Sequence, residues 1–180
     1  RMIRPSQGVH LVIEKSFLKS KHAIMVPQTT DGRVLFAVPW NDYVVVGTTD
    51  TPINETLEEP VALESEIKFI LNNAGAYMTK KPTRKDVRSV FVGLRPLAAS
   101  ENNSESTKEV SRHHKITVST SGLISVLGGK WTTYRKIAED TVNTLQAVGG
   151  LPERQCNTRT LPIFGYEPHS NWEDPMHYYG

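Results

Sequence analysis

Gly128-Gly129-Lys130-Trp131-Thr132-Thr133-Tyr134-Arg135-Lys136 gathers residues suited to holding an anion. The run follows an apolar, strand-like stretch, Leu123 to Leu127, and opens a helix-like one in which Tyr134, Ile137, Ala138, Val142 and Leu145 share a face. It reads as strand, glycine turn, helix. A hydroxyl at Thr132 or Thr133 can cap that helix by accepting an unpaired backbone N–H, and the remaining N–H groups favour an anion. Lys130, Arg135 and Lys136 surround the helix start with no acid before Glu139. Each such cation opposes the helix dipole by roughly 0.3–1 kcal/mol when exposed. A bound anion removes this conflict; solvation of Arg135 and Lys136 also makes it small.

A second cation lies in Val87 to Leu97, where alternation puts Val90, Val92 and Leu94 on one face and Phe91, Gly93 and Arg95 on the other. Gly93 has no side chain, so a partner can approach the sheet beside Arg95. An arginine there suits a two-bond grip on carboxylate or phosphate; the competing reading is an ion pair with a local acid such as Glu101. Pro96 donates no ladder bond, so the strand is expected to end there. Arg112-His113-His114-Lys115 either contacts an anionic ligand or forms a solvated strand start. Its histidines have no companion at metal-ligand spacing, and no metal is assigned. Gly47-Thr48-Thr49-Asp50-Thr51-Pro52 is a hydroxyl-rich loop with one carboxylate, a composition that commonly satisfies turn backbone.

The elements that must position these residues form an α+β unit with a mixed, mainly antiparallel sheet and two main helices. Strands are expected at Val9 to Glu14, Ala23 to Val26, Arg33 to Val38 and Tyr43 to Gly47, the last three as consecutive hairpins. Val44-Val45-Val46 is apolar on both faces and reads as central. From Pro60 the period changes: Leu63, Ile67, Ile70, Leu71 and Ala74 line one side of a helix that stops near Gly75, with Glu64, Glu66 and Lys68 on or beside its wet side. Glu101 to Lys108 is polar and without period, hence a loop. Lys115 to Ser119 and Leu123 to Leu127 form a hairpin around Thr120-Ser121-Gly122 that delivers the chain into the glycine motif. The last helix ends at Gly149-Gly150, and prolines break any period beyond it.

The 180 residues suit one domain or a large piece of one, and 38% hydrophobic content supplies a core. With 21 basic against 19 acidic residues, charge gives no case for nucleic acid. A single cysteine, Cys156, excludes an internal disulfide framework. The residues Arg1 to Pro5 read as neither signal peptide nor translation start, so a fragment is expected. Gly129-Lys130 lacks the P-loop spacing, and neither G-x-G-x-x-G nor G-x-S-x-G occurs, so any flavin or nicotinamide reading requires sequence beyond these residues.

Taken together and in order, Gly47-Thr48-Thr49-Asp50-Thr51, Gly93-Leu94-Arg95-Pro96-Leu97 and Gly128 to Lys136 resemble the FAD-dependent glycerol-3-phosphate dehydrogenases, from about Pro5 to Pro162. The resemblance implies a substrate-binding domain at 1–127, a return segment and helix facing the flavin at 128–150, and an irregular extension at 151–180, with the Rossmann FAD domain upstream. It implies that Arg95, Arg112 and Lys130 bind the substrate phosphate or its reacting oxygens. Arg95, Lys130 and His10 are the expected catalytic residues. Gly128, Gly129, Lys130, Trp131, Thr132 and Thr133 would face the FAD pyrimidine edge. The reaction implied is oxidation of glycerol 3-phosphate to dihydroxyacetone phosphate by hydride transfer from C2 to flavin N5. Electrons would pass to membrane quinone, with the enzyme peripheral on the cytoplasmic face of the membrane and these residues alone inactive. Two rivals remain: another glycine-oxidase-like flavoprotein oxidase acting on an amine or 2-hydroxy acid, and a non-enzymatic anion-binding domain. Oligomeric state is not legible.

Overall fold

The computed structural model describes residues 2–99, 113–168, 171 and 173–176. Its organising element is strand β1 (Ile3–Glu14), paired along one edge with β6 (Val87–Ala98) and along the other with β4 (Tyr43–Gly47) and β5 (Thr51–Pro52). The sheet continues outward through β3 (Leu35–Trp40) to β2 (Ile24–Val26), and every ladder described is antiparallel. The mainly antiparallel sheet, the consecutive hairpins and the central place of β4 are as expected. A separate hairpin, β7 (His114–Val118) and β8 (Ile124–Gly128), precedes helix α2 (Tyr134–Gly149); helix α1 (Glu64–Gly75) lies between β5 and β6 in the chain.

Two strands outrun their expected ends. The first strand was expected from Val9 and Pro96 was expected to stop β6, yet β1 starts at Ile3, Pro5 pairs opposite Pro96 and the ladder runs on to Ala98. The carbonyl of Pro5 accepts from Ile53 N–H at 3.3 Å, on the opposite edge of β1. Pro5 and Pro96 therefore face each other as a non-hydrogen-bonded pair, the position in which neither needs an N–H.

Alternation gives β1 two unlike faces. Val9, Leu11 and Ile13 are buried against Val44, Val46, Leu35 and Ala37, and Ile67, Ile70, Leu71 and Ala74 of α1 close this core. Burying such side chains stabilises by roughly 1.5–3 kcal/mol each. The opposite face stays open, with Phe36, Val38, Trp40, Tyr43 and Phe91 exposed.

The two helices correct the sequence reading in two places and leave one face uncovered. Glu66, assigned to the wet side of α1, is 5% exposed. Its carboxylate accepts the Leu63 backbone N–H at 2.9 Å, the third-residue capping position. Thr133 does stand at the N-cap of α2, but its hydroxyl makes no cap bond. It turns back instead, donating to the Lys130 carbonyl at 3.0 Å. Finally, Tyr134, Val142 and Leu145 of α2 are exposed, so among the described residues the apolar stripe of this helix is largely uncovered.

Candidate functional site

The open face of β1 carries Ser6, Gly8 and His10, and the registered residues of β6 are Arg95, Gly93 and Phe91. Facing residues of an antiparallel pair project to the same side. Arg95 does not reach into solvent; it lies across its neighbour strand. A Cβ built on Gly8 would stand 2.4 Å from Nη2, 2.5 Å from Nη1 and 2.6 Å from Cζ of Arg95. Only glycine leaves room for the guanidinium there.

The Thr48–Thr51 segment fixes that pose. Arg95 Nη1 donates to the Thr49 carbonyl at 3.1 Å and Nη2 to the Thr48 hydroxyl at 3.0 Å. Asp50 lies 4.0 Å from Nη1 and accepts from the Ser6 hydroxyl. Asp50 is a local acid beside Arg95 among the described residues, and Glu101 lies outside them. The hydroxyl-rich loop does satisfy backbone as expected. Between the β4 and β5 ladders Val9 has no strand partner on that edge, and its N–H donates to Thr49 Oγ1 at 3.0 Å.

His10 completes this group. Its ring stacks on Phe91 at 4.9 Å with the planes 7° apart. It also covers Gly47, where an added Cβ would stand 2.4 Å from the His10 Cδ2. Burial, and then the charge of Arg95, push its pKa below the ordinary 6.5. The imidazole is accordingly neutral at pH 7 and able to accept a proton. Gly8 and His10 stand two residues apart on one face of β1, so the guanidinium over Gly8 and the imidazole are neighbours.

The glycine turn reaches the same end of β6. A Cβ on Gly128 would meet the Ala98 Cβ at 3.4 Å and the His113 carbonyl oxygen at 3.1 Å. Ala98 stands three residues beyond Arg95 on β6, roughly 10 Å along the strand. Gly128 and Gly129 take φ of 69° and 88°, conformations that L side chains rarely adopt. Ile137 of α2 occupies the place of a Gly129 side chain, its Cδ1 2.6 Å from where Cβ would be. Lys130 and Trp131 to Thr133 are exposed. The cations of the helix start are held one turn on, Arg135 to Glu139 at 2.9 Å and Lys136 to Asp140 at 2.7 Å. The dipole conflict is thus offset within the helix, so it gives no separate argument for an anion. His114 bonds Asp140 at 3.0 Å. Arg112 lies outside the described residues.

Cavities give the chemistry uneven support. One of about 600 Å³ opens beside Arg95, between Met2, Ile3, Pro5, Thr56 and Pro96. A larger one, about 780 Å³, separates α2 from residues such as Leu151 and Arg154, away from Arg95 and His10. Ile3, Pro5, Leu94 and Pro96 alternate to the face of Val9, so the first cavity opens on the side of the sheet away from Gly8 and His10. A Cβ on Gly93 would have nothing within 4 Å among the described residues, so beside Arg95 they leave room for a flat ring such as that of FAD. They do not supply a diphosphate site, for no G-x-G-x-x-G occurs.

The contribution of Glu66 escaped the sequence reading, since Leu63, three residues earlier, is not a residue type that marks a capping box. The crossing of Gly8 by Arg95 had no local signal, because it depends on which strand β6 pairs with.

This chain is 42% identical over 163 residues to the mitochondrial glycerol-3-phosphate dehydrogenase of Homo sapiens, covering 89% of this chain and 22% of that protein. It is 42% identical over 174 residues to glycerol-3-phosphate dehydrogenase SDP6, mitochondrial, of Arabidopsis thaliana, covering 94% and 27%. The structure of the glycerol-3-phosphate dehydrogenase from Bacillus halodurans complexed with FAD superposes with a TM-score of 0.67 at 34% identity, over 84% of this chain and 28% of that one. The chain therefore spans about a quarter of the length of these proteins. The profile of the FAD-dependent oxidoreductase family matches residues 1–135, and this chain belongs to that family.

Proposed function

We propose that this chain is the substrate-binding region of an FAD-dependent dehydrogenase that oxidises glycerol 3-phosphate to dihydroxyacetone phosphate. The observation that carries the reading is Arg95 laid over Gly8 beside a neutral His10, in a chain 41–43% identical to enzymes named for that substrate. We assign residues 1–127 to the substrate domain, 128–150 to the segment and helix facing the flavin, and 151–180 to an extension.

Arg95 would hold the phosphate or a reacting oxygen, since a guanidinium fixed at two nitrogens loses little further freedom on binding. Lys130 and Arg112 would add charge to the same dianion. His10 would accept the C2 hydroxyl proton, with Arg95 stabilising the negative charge that develops on that oxygen. The turn from Gly128 to Thr133 would hold the ring edge of FAD. When bound, FAD supplies the acceptor for the C2 hydride. The Homo sapiens and Arabidopsis thaliana relatives are named mitochondrial. For this enzyme we propose a peripheral position on the cytoplasmic face of a membrane, with quinone as the onward acceptor. Among the described residues no helix is long and apolar enough to cross a membrane.

The test is steady-state oxidation by the FAD-loaded enzyme containing these residues, with an artificial acceptor, offered glycerol 3-phosphate, glycine or a 2-hydroxy acid. Turnover of glycerol 3-phosphate alone is expected. Preference for glycine or a 2-hydroxy acid would transfer the chain to the oxidases, and turnover of none would reject the enzymatic reading.

A further inference from the structure

We infer that Glu66, on the far side of the sheet from the open face, is a positioning residue for Arg95. The inference rests on the reading that Arg95 touches substrate. It deepens that reading by naming what holds the guanidinium in place.

The chain of contacts starts at a buried carboxylate. Glu66 Oε2 accepts from Gln7 Nε2 at 2.7 Å and from the Leu63 N–H at 2.9 Å. Its Oε1 accepts from the hydroxyls of Thr49 at 2.9 Å and Thr51 at 2.6 Å. Capping α1 needs only the Leu63 bond; Oε1 serves the loop alone. Thr49 then passes the constraint on, since its hydroxyl is tied to Glu66 and Val9 while its carbonyl receives Arg95 Nη1. The adjoining Thr48 hydroxyl receives Nη2.

The loop needs such an anchor because it has no ladder of its own. The pairing of β1 stops at Gly47 on one side and resumes at Thr51 on the other, so side-chain bonds set the position of the residues between. Hydrogen bonds to a charged acceptor are stronger than neutral ones, and burial strengthens them further. In Glu66→Gln one oxygen becomes an amide that can only donate. Turned toward Gln7 and Leu63 it strands two donors; turned toward the threonines it replaces charge-assisted bonds by weaker neutral ones in which their hydroxyls accept, so in either case the loop relaxes.

The experiment is a double-mutant cycle in the FAD-loaded enzyme, with glycerol 3-phosphate as substrate and FAD content and melting temperature recorded for each variant. Glu66→Gln is expected to lower kcat/KM about tenfold in the wild-type background and by less than about twofold when Arg95→Ala is already present. An equal loss in both backgrounds means Glu66 acts on the fold at large and overturns this inference alone. Unchanged kcat/KM in Arg95→Ala overturns the reading beneath it, and the inference with it. If Glu66→Gln does not fold, Thr51→Val carries the test, because its hydroxyl bonds Glu66 without touching Arg95. A few-fold loss that vanishes beside Arg95→Ala supports the inference, and a loss that persists there rejects it.

Discussion

Replacing Gly8 with alanine puts a methyl group where the Arg95 guanidinium now lies. The added carbon would stand 2.4–2.6 Å from three guanidinium atoms, against about 3.5–4.0 Å for ordinary carbon contact. Arg95 must therefore withdraw by roughly 1 Å. Its bonds of 3.1 Å to Thr49 and 3.0 Å to Thr48 would stretch past hydrogen-bonding range. Misplacement of a positioning group by that much costs on the order of a hundredfold in rate, or about 2.7 kcal/mol of transition-state stabilisation. Folding should change less: the lost bonds are partly open to solvent, and alanine in a strand recovers roughly 0.5–1 kcal/mol relative to glycine. The assay is kcat/KM for glycerol 3-phosphate in FAD-loaded enzyme, beside thermal unfolding. A variant that folds, holds FAD and turns over within about twofold of wild type would refute the placement of Arg95 over Gly8 as the working arrangement.

Gly93→Ala is the counterpart, because its methyl would meet nothing within 4 Å among the described residues. Melting temperature should hold while kcat/KM falls at least about tenfold; unchanged kinetics would mean that no ligand approaches the sheet there. Arg95→Ala should lower kcat/KM by about tenfold to a hundredfold, roughly 1.4–3 kcal/mol, and near-unchanged kinetics would remove its role. The same variant bears on His10, whose pKa is lowered first by burial and second by Arg95. A base with a depressed pKa stays deprotonated to lower pH, so the acid limb of kcat/KM should lie below 6.5 and move upward when Arg95 is removed. An unmoved limb separates His10 from Arg95. In the core, Ile70 is fully buried, and Ile70→Ala should destabilise by about 2–5 kcal/mol in urea unfolding; less than about 1 kcal/mol would place α1 outside the cooperative core.

What was legible in the sequence was apolar patterning. The Val- and Phe-rich runs Arg33 to Val38 and Tyr43 to Gly47, and the helical period of Ile67, Ile70, Leu71 and Ala74, mark segments that must be buried, and those segments form much of the core. Arg95 and the glycine turn were legible as chemistry because their residue types are unusual at a strand end and a helix start. Contacts between distant segments were not. Nothing near Gly8 announces a guanidinium from a residue far along the chain. Glu66 reads as solvated until Thr49, Thr51 and Gln7 are seen around it. Proline misled for a related reason, since whether Pro96 ends a ladder depends on which edge its missing N–H would have faced. The stripe on α2 was read correctly as a helical face, yet a stripe says only that a partner is required. Among the described residues that face remains exposed.

The core and the site are joined through the register of β1. Side chains alternate with period two, so Val9, Leu11 and Ile13 can enter the core only if Gly8 and His10 stand on the other face. A slip of one residue against β4 and β6 would drive His10 into the apolar layer and lift three large aliphatic side chains into solvent. Each misplaced aliphatic residue costs roughly 1.5–3 kcal/mol, and an imidazole without a partner adds to that. The burial that stabilises the sheet therefore also holds Gly8 beneath Arg95 and His10 against Phe91. Residues that never touch a ligand, Leu11 above all, determine where the ligand-facing ones stand.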